Sequence, residues 1–134
     1  MRQRPFVSAR NTCSGGAGAT SCTGCPSQRA CALPSRRASN TLMGSIHGGW
    51  IATLLDSAVA CAVHTTLPAG RAYTTAELKV SYLRALTPDV PLVRAEGKII
   101  SAGRQVGFAE GRLYGPDGRL YAHATTTCVV LQQR

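Results

Sequence analysis

The chain is poor in acids, and the few it has are unevenly placed. Six Asp and Glu stand against 15 Lys and Arg, a formal net charge of +9, and no acid precedes residue 41. Residues 1–40 hold six arginines, whereas residues 41–134 hold nine Lys or Arg against the six acids, a net of +3. The high charge is therefore mostly a property of the first segment. Basic arms can hold phosphate backbones, but aromatic residues that stack on bases make up only 5% of the chain and no nucleic-acid motif follows the arginines. A nucleic-acid partner is not expected. Uninterrupted apolar runs of 18 or more residues are also missing, as is the apolar core of a signal peptide, so no membrane association and a cytoplasmic location are expected. The G-x-S-x-G elbow, the phosphate-binding loop and the dinucleotide fingerprint are all absent, which removes the motif evidence for those enzyme classes.

What is present divides near residue 40. Residues 1–40 are rich in Ser, Gly, Ala, Arg and Cys and show neither the period of a helix nor the alternation of a strand. Four of the six cysteines lie here (Cys13, Cys22, Cys25, Cys31), yet no histidine accompanies the Cys22–Cys25 pair and the spacings match no common zinc finger. A disordered, reduced arm without metal is the expectation. An organelle transit segment has the same composition, and the abrupt change near Ser39 is also what out-of-frame translation joined to a genuine domain would leave.

From residue 41 the pattern is that of one domain. Trp50 to Thr66 is apolar on nearly every side, the mark of a buried helix too short to cross a bilayer, and Leu67-Pro68-Ala69-Gly70 ends it. Four stretches of strand character follow, read as consecutive antiparallel strands. In the first, Ala76, Leu78, Val80 and Tyr82 alternate with Glu77, Lys79 and Ser81. The others run from about 92 to 101, 105 to 114 and 119 to 131, with a strong turn at Gly115-Pro116-Asp117-Gly118. Small residues at Ala95, Gly97, Ala109, Gly111, Ala122 and Ala124 suit a sheet that curls closely around the helix. The expected class is α+β, a long central helix wrapped by a curved antiparallel sheet.

Asp56 is the only acid before residue 77, and it falls mid-helix among Leu54, Leu55, Ala58, Val59 and Ala60. An unpaired carboxylate buried there would cost several kcal/mol. It must therefore face a cavity, lie on the helix's exposed stripe, or be tied to a partner such as an arginine. His47-Gly48-Gly49 stands where the helix begins, where free backbone N–H groups and partial positive charge can stabilise an oxyanion. A carboxylate further along could activate water.

Met43-Gly44-Ser45-Ile46-His47-Gly48-Gly49, with Asp56 nine residues after the histidine, resembles the PaaI-type hot-dog-fold acyl-CoA thioesterases. Tyr73-Thr74-Thr75-Ala76-Glu77-Leu78-Lys79-Val80, Ala109 to Tyr114 and Ala122 to Cys128 carry the resemblance over about 90 residues. It implies that Asp56 acts as base or nucleophile, that the Gly48 N–H polarises the thioester carbonyl, that His47 and Gly49 shape the site, and that Thr75, or Thr74 beside it, holds the water. It implies a homodimer or tetramer with sites formed between subunits, CoA entering only as part of the substrate, and no separate cofactor. Arg104, in the turn before the third strand, is the candidate contact for a CoA phosphate.

Two departures stand out. The family commonly has an Asn or Gln six residues before the histidine to hold the substrate carbonyl; Thr41 occupies that place here and Asn40 lies one position early. Relatives also carry a helical turn and a first strand where residues 1–40 show neither pattern, which would leave a sheet edge unprotected. The alternative function is a hot-dog module that binds acyl-CoA without turnover. His64, His123, Cys61 and Cys128 read as structural.

Overall fold

The structure is a computed structural model that describes the backbone of residues 21–23 and 28–34 and the backbone and side chains of residues 43–132. Its one described helix, α1 (Gly48–His64), packs into a sheet of six strands: β1 (Ser21–Thr23), β2 (Gln28–Pro34), β3 (Arg71–Tyr82), β4 (Leu92–Ala102), β5 (Val106–Tyr114) and β6 (Leu120–Gln132). The strand order is β1-β2-β4-β5-β6-β3, and every neighbouring pair is antiparallel. This is the hot-dog arrangement. No described helix is long and apolar enough to cross a membrane.

Close contact between helix and sheet follows from the small residues. Gly97, Gly111 and Ala124 lie side by side across β4, β5 and β6. A Cβ on Gly97 would lie 2.2 Å from the Ala58 carbonyl oxygen, and one on Gly111 would lie 2.7 Å from Val59 Cγ1. Only an absent side chain lets the α1 backbone rest on β4 at that distance. Around this contact Leu55, Val59, Val63, Val93 and Leu113 are fully buried, each contributing roughly 1.5–3 kcal/mol of hydrophobic stabilisation.

The strand boundaries agree with the sequence reading to within a residue or two for β4, β5 and β6, but their connectivity differs in one respect. The four strands do not pair consecutively: β4, β5 and β6 form a meander, while β3 pairs with β6 on the far side. Residues 83–91 explain it. This link is too long for a tight hairpin, and it passes the start of α1, where the Ile46 N–H donates to the Leu86 carbonyl at 2.7 Å.

Before residue 41 the described residues form two strands. β2 pairs with β4 from Gln28↔Lys98 to Pro34↔Leu92, and β1 pairs with β2. A strand beside a free sheet edge gains a ladder of backbone hydrogen bonds whatever its side chains, so tertiary context overrides the missing alternation. The edge of β4 is covered.

Candidate active site

The start of α1 is built by its cap. His47 has extended backbone angles (φ −62°, ψ 131°), and its Nδ1 accepts from the Gly49 N–H at 2.9 Å. That nitrogen consequently carries no proton. Ile46 before the cap and Ile51 in the first turn lie in the same buried cluster, a hydrophobic staple that sets the chain's entry angle. The His47 carbonyl accepts from the Trp50 and Ile51 N–H groups at 3.0 and 3.4 Å. Of the first four helical amides, three thus have partners, and among the described residues the Gly48 N–H has none.

Eight residues later, Asp56 is partly buried at the margin of an exposed stripe formed by Gly49, Thr53 and Ser57. Thr75 on β3 donates its hydroxyl to Asp56 Oδ1 at 3.1 Å. No arginine or lysine pairs with Asp56 among the described residues. Tyr73 lies nearby against the His64 ring, with centroids 5.5 Å apart. Burial first, then the proximity of Cys61, Cys128 and Asp56, raises its phenol above the ordinary tyrosine range.

A β-bulge brings Thr75 to Asp56. Thr75 pairs with Cys128 and Glu77 with Thr127, so Ala76 is an extra residue in β3. Without it, Thr75 would share a face with Glu77 and Lys79. With it, Thr75 turns toward the helix together with Leu78 and Val80, and Ala76, expected on the core face, is exposed.

The remaining site candidates are not gathered in. Thr74 is exposed next to Thr75. Arg104 is exposed in the turn between β4 and β5, near the strand start where Gly107 meets Val63 of the last helical turn, and so at the end of α1 opposite Gly48. Asn40 and Thr41 lie outside the described residues. No group of three or more His, Cys, Asp or Glu is placed to hold a metal ion among the described residues; the side chains of the four N-terminal cysteines lie outside them.

One participant escaped the sequence reading. Tyr82, assigned there only to the core face of its strand, is 52% exposed and donates its hydroxyl to the Gly48 carbonyl at 2.8 Å. With Gly48, Ser45, Ile46, Ile51 and Arg84 it lines an open cleft of about 300 Å³ that does not extend to Asp56.

Residues 43–122 match the family model of the thioesterase superfamily. The chain belongs to that superfamily. A protein of Halobacterium salinarum named for an inferred esterase activity is 36% identical over 88 residues, which cover 64% of this chain and 56% of that protein's length. A Bacillus halodurans protein crystallised with CoA is 32% identical, with a TM-score of 0.71 over 76% of this chain and 66% of that one. A thioesterase family protein from Silicibacter pomeroyi is 27% identical, with a TM-score of 0.75 over 82% of each chain.

Proposed function

We propose that the protein hydrolyses acyl-CoA thioesters carrying aryl or short to medium acyl groups. The observation that carries this reading is the Asp56–Thr75 pair: a partly buried carboxylate whose partner is a neutral hydroxyl, in a chain of the thioesterase superfamily. Thr75 orients that carboxylate. Asp56 takes a proton from water as the oxygen adds to the thioester carbon. The developing oxyanion is held by the Gly48 N–H, and collapse expels the CoA sulfur, which receives the proton. The products are the free acid and CoA. The relative crystallised with CoA supports the choice of thiol.

We read this as a reaction of two subunits, as the resemblance implies, and the helix geometry supports that reading. Asp56 and Gly48 are eight residues apart (56 − 48), which is about 12 Å along the axis and about 80° around it. Asp56 acts through a water, but that span along one helix is still long for two groups that serve one carbonyl, which favours a homodimer in which Asp56 of one subunit meets the Gly48 end of the other. The exposed stripe of α1 and the edge of β3, which pairs with no further strand among the described residues, are surfaces a second copy could use.

The test is thiol release from acetyl-, medium-chain, benzoyl- and phenylacetyl-CoA by the wild type and Asp56→Asn. Turnover by the wild type and a loss of 10²-fold or more (about the span expected for a missing general base) support the reading. CoA binding by folded wild-type protein that releases no thiol would replace it with a non-catalytic binding module.

A further inference from the structure

We infer that Tyr82 is a positioning residue for the oxyanion donor, a role that rests on the hydrolase reading above. Gly48 has no side chain to restrict its φ and ψ, so the direction of its N–H depends on what holds the peptide units on either side. The unit before it is fixed through the His47 carbonyl, which accepts from Trp50 and Ile51. The unit after it is held at both ends. Its N–H, that of Gly49, donates to His47 Nδ1 at 2.9 Å, and its carbonyl, that of Gly48, accepts from the Tyr82 hydroxyl at 2.8 Å. Four hydrogen bonds thus pin two peptide planes and leave the Gly48 N–H without a partner among the described residues.

The two glycines now have separate reasons. A Cβ at position 48 would lie 3.1 Å from Cζ and the hydroxyl oxygen of Tyr82, and a Cβ at position 49 would lie 2.9 Å from His47 Nδ1. Gly48 admits the tyrosine, and Gly49 admits the histidine. Tyr82 reaches this point because β3 ends there and it continues the helix-facing alternation of Leu78 and Val80. Its ring also forms one wall of the cleft beside Gly48, so the residue that holds the peptide borders the space a substrate carbonyl would enter.

A group that orients a donor without touching the reacting atoms should alter kcat and leave KM nearly unchanged. Tyr82→Phe keeps the ring against Gly48 and removes only the hydroxyl. In the full-length chain, kcat toward the best acyl-CoA of the panel should fall about tenfold, the effect of one lost hydrogen bond, with KM moving less than about twofold. Amide hydrogen exchange over residues 47–51 should quicken in Tyr82→Phe while that of β4, β5 and β6 stays the same, a readout that needs no turnover. Unchanged exchange over 47–51 overturns the inference, as does unchanged kcat, and a raised KM at unchanged kcat would make Tyr82 a substrate contact instead. The wild type and Asp56→Asn run alongside separate the two claims. Wild-type turnover that Asp56→Asn abolishes, with Tyr82→Phe at the wild-type rate, sinks this inference alone; no wild-type turnover sinks the hydrolase reading, and the exchange comparison still decides the clamp.

Discussion

The face of α1 turned to β4 and β5 and the face turned to β3 are made of different materials. Toward β4 and β5 the helix is dry: Ala58 rests on Gly97, Leu55 and Val59 on Gly111, and Val63 on Gly107. Contact there is set by missing side chains and filled by aliphatic ones. Toward β3 the contacts are mixed: Leu78 and Val80 pack against the core, and beside them stand Thr75 on Asp56, Tyr73 on His64 and Tyr82 on Gly48. The first face holds the structure together, and the second adds polar groups to a smaller apolar contact. Substitutions on the first should act on stability, and substitutions of those polar groups on turnover.

The largest effect is expected at Gly97. An alanine there meets the Ala58 carbonyl, a backbone atom of a packed helix that cannot turn aside. Gly97→Ala should cost about 3 kcal/mol or more, the upper end of the range for overpacked cores, read as the urea midpoint. On the other face, Thr75→Val preserves shape and deletes the hydroxyl. It should lower kcat about tenfold and shift stability by less than about 1 kcal/mol. A Thr75→Val protein that loses stability and keeps its rate would break the comparison. The smallest effect sharpens it: in Gly111→Ala the tight contacts are with the methyl groups of Val59 and Leu55, the nearest backbone atom, the Glu96 carbonyl oxygen, being at an ordinary 3.7 Å, and the change should cost about 1 kcal/mol by the same unfolding measurement. Equal losses at positions 97 and 111 would mean that helix-to-sheet distance does not control stability.

The two faces were also unequally legible in the sequence. The dry face could be read from alternation alone, because Val93, Ala95, Gly97 and Ile99 repeat with the period of a strand and the small residues announce a close approach. Asp56 stood out as the single acid in a long apolar context. The β3 face otherwise resists such reading, since its geometry depends on one extra residue. Strict alternation assigns Ala76 to the core and turns Thr75 away; the bulge reverses both, and nothing local marks Ala76 as the site of a bulge. Thr75 became a candidate through resemblance, and the bulge supplies its physical reason. Tyr82 was hidden because a tyrosine ending an alternating strand looks like any other core-facing residue. The position of β3 beyond β6 was equally out of reach, as pairing order depends on the path of residues 83–91 around the helix start. The strand at 28–34 owes its form to the edge of β4 rather than to its own side chains.

The central claim is that each reaction centre takes Asp56 from one copy and Gly48 from another, and a mixed dimer tests it. Gly48→Pro removes the N–H at the first helical position, where proline suits the helix backbone and the extended angles of His47; its Cβ requires the half-exposed Tyr82 ring to shift by a few tenths of an ångström. Asp56→Asn and Gly48→Pro chains carrying different tags would be co-expressed and the mixed dimer isolated through both tags. Each variant alone should be inactive, whereas the mixed dimer should recover about half the wild-type thiol release, because one of its two symmetric sites receives both intact groups. A mixed dimer as inactive as its parents, beside an active wild type, would place both groups of each site in one chain and contradict the account.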